Sequence, residues 1–246
     1  MSGSSLSFWV IVPAAGSSRR MVDAALPKQY LQLAGRSVIE WSLAPFLARP
    51  ECAGIVVVLA AQDAYWKTLA TSNHSLIETV TGGAQRADSV QSGLHALQGR
   101  AGPDDWVLVH DAARPCLRAT ELTALLSQLR GDTVGGLLAA PVVETLKRSD
   151  GTDRVAQTVD RNGLWRALTP QMFRYGTLTR ALATAADRNI SVTDESQAIE
   201  LLGLRPRLVP GSVDNIKVTV PEDLARAERI LAHLHQLDQP MEERTP

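Results

Sequence analysis

The chain has 246 residues, of which 45% are hydrophobic, and a formal net charge of -1 at pH 7. This apolar content is enough for a buried core, which argues against general disorder. The balanced charge gives no broad basic field of the kind that binds nucleic acid. Two cysteines, Cys52 and Cys116, are too few for a structural zinc site or a disulfide scaffold. With no secretory leader and no apolar run of ~20 residues, we expect a cytoplasmic protein without a membrane partner.

Apolar runs alternate with amphipathic stretches over the first 140 residues. Apolar, β-branched runs are typical of strands covered on both faces, and apolar residues three or four apart indicate helices. Strands are predicted at 8–13, 54–59, 77–80, 106–109 and 134–140, and helices at 37–48, 62–70, 86–98 and from a Thr120 cap to Leu129. The alternation predicts an α/β fold with a Rossmann-like, mostly parallel sheet and helices on both faces.

The alternation breaks at 141–169. Two short extended stretches flank Ser149-Asp150-Gly151-Thr152, which predicts an inserted β-hairpin. A lone hairpin has too little core to be stable, so it needs a partner surface. The remaining elements are predicted as helices at 176–188, 193–202 and from Pro221 to His235, with strands at 207–209 and 215–218. We expect one domain over 8–235, with flexible tails at 1–7 and 236–246.

The first strand leads into a loop suited to phosphate. Small residues follow Pro13, so their backbone N–H groups can approach an anion closely. The cations Arg19, Arg20 and Lys28 can add charge-assisted hydrogen bonds. The loop residues are Ala14, Ala15, Gly16, Ser17 and Ser18. Neither a Walker A loop nor a G-x-G-x-x-G fingerprint is present. The alternative is a tight strand-to-helix turn with solvated arginines.

Several motifs occur in one order between residues 8 and 232. They are P-A-A-G-x-x-x-R from Pro13, P-K-Q-Y from Pro27, R-A-D-S-V from Arg86, V-H-D-A-A-R-P from Val109, T-V-D-R-N from Thr158, L-T-P-Q from Leu168, T-D-E from Thr193 and D-N-I-K-V-T from Asp214. Each motif is weak alone, but the ordered set resembles the 2-C-methyl-D-erythritol 4-phosphate cytidylyltransferase family of polyol-phosphate nucleotidyltransferases. The resemblance implies transfer of CMP from CTP to that polyol phosphate, with release of pyrophosphate.

The resemblance also implies a set of site residues. The cations that stabilise the reacting phosphates would be Arg20, Lys28 and Lys217. Nucleotide-binding positions would be Pro13, Ala14, Ala15, Gly16, Gly83, Ala84, Arg86, Asp88, Ser89 and Ala112. The polyol phosphate would be held by Arg114, Thr145, Arg161, Thr169 and Thr193. Asp111 would hold Mg²⁺, and 141–169 would be an arm that forms a homodimer and places Thr145 and Arg161 in the other subunit's site.

Plainer interpretations stay open for several of these residues. Asp111 alone would sooner be an Asx turn or a helix cap. Arg86 and Asp88 fit a helix N-terminal ion pair as well as a base contact, and each threonine alone suits a local backbone hydrogen bond. Ala84 stands where the family often has Asp, which leaves a backbone contact there at most.

Other readings stay open for two further side chains and for the activity itself. Asp214 could be a second metal ligand or an orienter of Lys217, and we expect His110 to be packed rather than catalytic. The alternative activities are a ribitol-5-phosphate cytidylyltransferase and a non-catalytic nucleotide-binding regulatory protein.

Overall fold

The computed structural model describes residues 6–16 and 26–238. Its central feature is a seven-stranded sheet. In their order across the sheet, the strands are β11 (Arg207–Pro210), β7 (Gly135–Pro141), β10 (Trp165–Arg174), β6 (Trp106–Val109), β1 (Phe8–Pro13), β4 (Cys52–Leu59) and β5 (Ile77–Thr81). Strand β10 is antiparallel to both neighbours, and the other pairs are parallel. The predicted mostly parallel α/β sheet is confirmed.

Helices cover both faces of this sheet, as its apolar strands require. They are α1 (Val38–Leu47), α2 (Arg86–Ala96), α3 (Ala119–Leu129), α4 (Tyr175–Asp187), α5 (Glu195–Glu200) and α6 (Glu222–Asp238). Helices α1 and α3 pack on one face, and α2, α4 and α5 pack on the other. Alternate residues of β1 enter the two cores: Val10 joins the first and Ile11 the second. None of the helices in the described ranges is both long and apolar enough to cross a bilayer.

Two small hairpins complete the fold. Strands β2 (Gln32–Leu33) and β3 (Arg36–Ser37) pair antiparallel just before α1. Strands β8 (Leu146–Ser149) and β9 (Val155–Val159) pair antiparallel as a separate two-stranded sheet, in agreement with the predicted hairpin. The segment 165–169, however, belongs to β10 in the central sheet, so the projecting part is shorter than 141–169.

The prediction of a helix at 62–70 is wrong. The chain there forms two short 3₁₀ turns, Trp66–Thr68 and Ala70–Asn73. The Asp63 carboxylate accepts the N–H groups of Tyr65 and Trp66 at 3.0 and 2.9 Å. A side chain that binds its own neighbouring backbone in this way competes with helix formation.

The strand predicted at 215–218 is also wrong, because its backbone joins no ladder. Asn215 and Ile216 donate to Ser212 and Asp214 in a turn, and Val218 donates to Ala113 at 2.8 Å. Several predicted boundaries also shift by one to three residues, as two helices show. Helix α3 begins one residue before Thr120, capped by Glu121, whose carboxylate accepts the Arg118 N–H. Helix α6 runs to Asp238, into the predicted tail.

Candidate active site

A cavity of about 410 Å³ lies where β1, β5 and β6 end. Ligands of open α/β sheets bind at this edge, because the loops that follow parallel strands converge there. Twelve of the predicted site residues line the cavity: Pro13, Ala14, Ala15, Gly16, Lys28, Gly83, Ala84, Arg86, Ser89, Asp111, Ala112 and Lys217. Segments as far apart in sequence as Pro13 and Lys217 therefore meet in one place. Arg19 and Arg20, with Ser17 and Ser18, lie outside the described residues.

The loop after β1 is held on both sides of Ala14. Its N–H donates to Val58 of β4 at 2.7 Å, and its carbonyl accepts the buried side-chain amide of Gln29 at 2.9 Å. Because a trans peptide points its carbonyl and the next N–H in opposite directions, the bond from Gln29 also fixes the direction of the Ala15 N–H. Sequence reasoning missed Gln29. Its only signal was its place beside Lys28 in the P-K-Q-Y motif.

Gly82 lets the loop after β5 approach the loop after β1. A Cβ at this position would lie 2.7 Å from the Ala15 Cβ and 2.6 Å from the Ser89 Oγ, closer than packed atoms tolerate. The missing side chain therefore brings the segment predicted to read the base against the segment predicted to hold the triphosphate. This contact explains why two motifs about seventy residues apart line the same cavity.

Asp111, at the end of β6, is the centre of a charged cluster. Its Oδ1 accepts the Arg86 Nε–H at 3.0 Å, and its Oδ2 lies 2.9 Å from the Lys217 Nζ and 3.3 Å from the Arg114 Nε. Burial alone would raise the pKa of Asp111, but Arg86, Lys217 and Arg114 outweigh it and hold the pKa far below the usual carboxyl range. Asp111 is therefore ionised throughout the physiological range.

The geometry of Asp111 is compatible with one bond to a metal ion. A carboxylate offers roughly four lone-pair positions, and three are taken by Arg86, Arg114 and Lys217. Mg²⁺ in nucleotide sites is held by one or two carboxylates together with substrate phosphates. Among the described residues, no three His, Cys, Asp or Glu side chains form a cluster that could hold a metal alone. A metal here would thus need phosphate oxygens.

Arg86 and Asp88 act within the protein at the start of α2. The Arg86 guanidinium bonds both carboxylate oxygens of Glu195, at 2.6 and 3.1 Å. Burial would lower the pKa of Arg86, but Glu195 and Asp111 raise it further above its ordinary value. Asp88 lines no part of the cavity, and its carboxylate accepts the Gln85 N–H at 2.9 Å as a helix cap. Arg86 and Asp88 thus form no ion pair with each other: Arg86 pairs with Glu195 and Asp111, and Asp88 caps α2.

Thr169 is buried behind Asp111, where its hydroxyl is fully engaged. It accepts the Asp111 N–H at 3.1 Å and lies 2.9 Å from the Nδ1 of His110. The His110 Nε2 faces the Arg114 carbonyl at 3.2 Å, and burial lowers the pKa of His110 to about 4. Since a carbonyl only accepts, the neutral ring carries its proton on Nε2, and Thr169 donates to Nδ1. The geometry gives Thr169 a supporting position, and His110 is packed, as expected.

The other residues predicted to bind the polyol phosphate also lie outside the cavity lining. Arg114 donates to the Asn215 carbonyl at 2.7 Å as well as to Asp111. Thr193 is exposed at the start of α5 and donates to Gln197 at 3.2 Å. Thr145 and Arg161 are exposed beside the β8–β9 hairpin, where Arg161 donates to the Val143 carbonyl. Within this single chain the hairpin residues are therefore not brought to the cavity.

Asp214 does not orient Lys217. Its carboxylate lies 2.5 Å from the Arg118 Nη2, whereas Lys217 pairs with Asp111. The carboxylate that orients Lys217 is that of Asp111, and Asp214 instead links the segment before Lys217 to the start of α3.

The chain matches, over residues 8–233, the family model described as IspD: 2-C-methyl-D-erythritol 4-phosphate cytidylyltransferase. A protein of that name from Ectopseudomonas mendocina (strain ymp) is 54% identical over 222 residues, which cover 90% of this chain and 94% of the relative. Another from Pseudomonas syringae pv. tomato is 53% identical over 219 residues, covering 89% of this chain and 92% of the relative.

A crystal structure of the Francisella tularensis protein of the same name has a TM-score of 0.80 and 34% identity to this chain. It covers 91% of this chain and 99% of its own. Sequence and fold thus agree over nearly the same residues, and the chain belongs to the 2-C-methyl-D-erythritol 4-phosphate cytidylyltransferase family.

Proposed function

We propose that this chain transfers CMP from CTP to 2-C-methyl-D-erythritol 4-phosphate and releases pyrophosphate, as a step of the non-mevalonate route to isoprenoid precursors. The observation that carries the proposal is the cavity in which Gly16, Lys28, Asp111 and Lys217 meet. A loop of small residues, two lysines and one ionised carboxylate suit a bound triphosphate better than an uncharged ligand.

The chemistry needs charge stabilisation more than proton removal. A phosphate monoester has its second pKa near 6, so at pH 7 the polyol phosphate is already a nucleophile. It attacks the α-phosphorus of CTP, and the bond from that phosphorus to the bridging oxygen of pyrophosphate breaks. Among the described lining residues there is no histidine or cysteine that could act as a general base. Lys28 and Lys217 instead offset the negative charge that develops on the phosphates, together with Arg20 in our proposal.

The base would be read by the segment from Gly83 to Ser89. Five of its residues, Gly83, Ala84, Gln85, Arg86 and Ser89, line the cavity. Since Arg86 is committed to carboxylates, backbone groups and the Ser89 hydroxyl are the better candidates for contact with cytosine. A site built around a hydrogen bond to the exocyclic amine rejects bases that lack it.

Magnesium is part of the proposal as the metal that accompanies CTP. Asp111 would hold it with one free lone-pair position, and the phosphates would complete its ligands. The ion would neutralise phosphate charge and orient the triphosphate. We also propose a cytoplasmic location, with which the two free, buried cysteines agree.

The proposed assay measures pyrophosphate release with CTP and each of two polyol phosphates, in the presence and absence of a magnesium chelator. We expect turnover with 2-C-methyl-D-erythritol 4-phosphate, little with ribitol 5-phosphate, UTP or ATP, and none with the chelator. Preference for ribitol 5-phosphate would favour the ribitol-5-phosphate cytidylyltransferase alternative. Binding of CTP without turnover of either polyol would favour the non-catalytic alternative.

A further inference from the structure

Glu195 is a buried carboxylate that the reaction does not use directly. Only 1% of its side chain is exposed, and it lines no part of the cavity. It lies in α5, 109 residues along the chain from Arg86, whose guanidinium it binds with both oxygens. A buried charge of this kind is retained only when it is paired.

The position of Glu195 is fixed from behind by β10. Asp194 caps α5 by accepting the Gln197 N–H at 2.9 Å, and it also accepts the side-chain amide of Gln171 at 3.0 Å. The side-chain oxygen of Gln171, Oε1, in turn accepts the Ser196 N–H at 2.8 Å. Both neighbours of Glu195 are thus tied to a strand of the central sheet, so α5 presents this carboxylate from a rigid support.

The contact with Glu195 decides how Arg86 meets Asp111. Nη1 and Nη2 each donate one N–H to Glu195, and in this orientation Arg86 meets Asp111 through its Nε–H, which donates to Oδ1. The other oxygen, Oδ2, is then open to Lys217 at 2.9 Å. Arginine binds carboxylates preferentially through two parallel bonds, so an Arg86 released from Glu195 would be expected to turn onto both oxygens of Asp111.

We propose that Glu195 is a positioning residue for the transferase reaction. It holds the Arg86 guanidinium away from Asp111 Oδ2, so that Lys217 keeps its place at the cavity. Glu195 touches no substrate in this role and acts through Arg86 and Asp111. The expected effect of Glu195 on turnover rests on the proposed function. The arrangement of Glu195, Arg86 and Asp111 rests on geometry alone.

A double-mutant cycle tests the inference. Glu195→Gln should lower kcat about tenfold or more while the KM for CTP changes by less than about threefold, because Lys217 acts chiefly in the transition state. Adding Glu195→Gln to Arg86→Gln should change kcat no further, since Glu195 acts only through Arg86. Glu200→Gln makes the same chemical change at an exposed position of α5 and should leave kcat unchanged.

Two outcomes would overturn the inference: independent, multiplicative effects of the two substitutions, or a Glu195→Gln variant with normal kcat. If Glu195→Gln does not fold, the comparison of Arg86→Gln with the double variant still answers the question, because the double variant leaves no unpaired charge.

A crystal structure of Glu195→Gln gives a readout that is independent of activity. We expect Arg86 to bond both oxygens of Asp111 and Lys217 to move away from Oδ2. If the wild-type chain shows no turnover, the proposed function fails, and this structure alone decides the positioning role. Arg86 and Lys217 in unchanged places would then disprove it.

Discussion

Lys28 and Lys217 reach the same cavity from distant parts of the chain, and Lys217 is directed by Asp111. Negative charge accumulates on the phosphates mainly as the transition state forms, so cations placed there act more on kcat than on binding. We expect Lys28→Ala and Lys217→Ala each to lower kcat by a larger factor than they raise the KM for CTP. Steady-state kinetics of the two variants checks this, with the exposed Lys67→Ala as control. An effect on KM alone would mean that the lysines only hold the substrate.

His110 makes the stability of the protein dependent on pH. Its pKa is about 4 in the folded chain, whereas an unfolded histidine titrates near 6.5. Between these values the unfolded state binds the proton, so His110 contributes full stability above pH 6.5 and loses it as the pH falls towards 4. For this fully buried ring the loss is on the order of 3 kcal/mol.

Denaturant unfolding at a series of pH values tests this contribution. The free energy of unfolding of the wild type should fall more steeply between pH 6.5 and 4 than that of His110→Gln. Asp111 is present in both proteins, so the stability lost below about pH 5 through its lowered pKa cancels in this comparison. Parallel curves for the two proteins would contradict a neutral, buried His110.

At the scale of elements, the contact between two loops is the feature most open to a simple test. Gly82→Ala would place a Cβ 2.7 Å from the Cβ of Ala15 and 2.6 Å from the Ser89 Oγ, so the loops must separate. We expect the KM for CTP to rise several-fold, because both loops line the cavity. Gly131→Ala, at a glycine with no atom within 4 Å of the added Cβ, is the matched control. An unchanged KM would show that the loop spacing does not affect nucleotide binding.

Elements that carry their own pattern were predictable. The buried strands β1, β4 and β6 are short apolar runs, and the Ser37–Glu40 capping box marks the start of α1. Strand β10 was missed because it contains Pro170 and lacks regular alternation. Its place between β6 and β7 depends on pairing with strands distant in sequence.

The candidate site shows the same division between local and distant interactions. The motifs identified the loops that line the cavity, but not the partners that hold them. Glu195 lies in the T-D-E motif, yet nothing in the sequence indicates that its partner is Arg86. Asp111 similarly gains its three cations only through folding, from positions 86, 114 and 217.

At the scale of the whole molecule, the β8–β9 hairpin and the residues that flank it expose several large apolar side chains. Val143 and Val155 are each 63% exposed, and Leu164 and Trp165 are also exposed. Thr145 and Arg161 lie on the same segment, outside the cavity of their own chain. These features support the proposal that the hairpin packs on a second copy and that Arg161 serves the other subunit's site.

Mixing two inactive variants tests this arrangement. In a mixed dimer of Arg161→Ala and Lys28→Ala subunits, one site would receive both defects and the other neither. Activity should therefore return on subunit exchange, up to about half that of the wild type for each mixed dimer.

Lys28→Ala mixed with Lys217→Ala is the matched control. Both lysines line the cavity of one chain, so every site keeps a defect and no activity should return. If mass spectrometry detects mixed dimers of the first pair but activity stays absent, Arg161 serves its own subunit. A fully active monomer would leave the hairpin without this role.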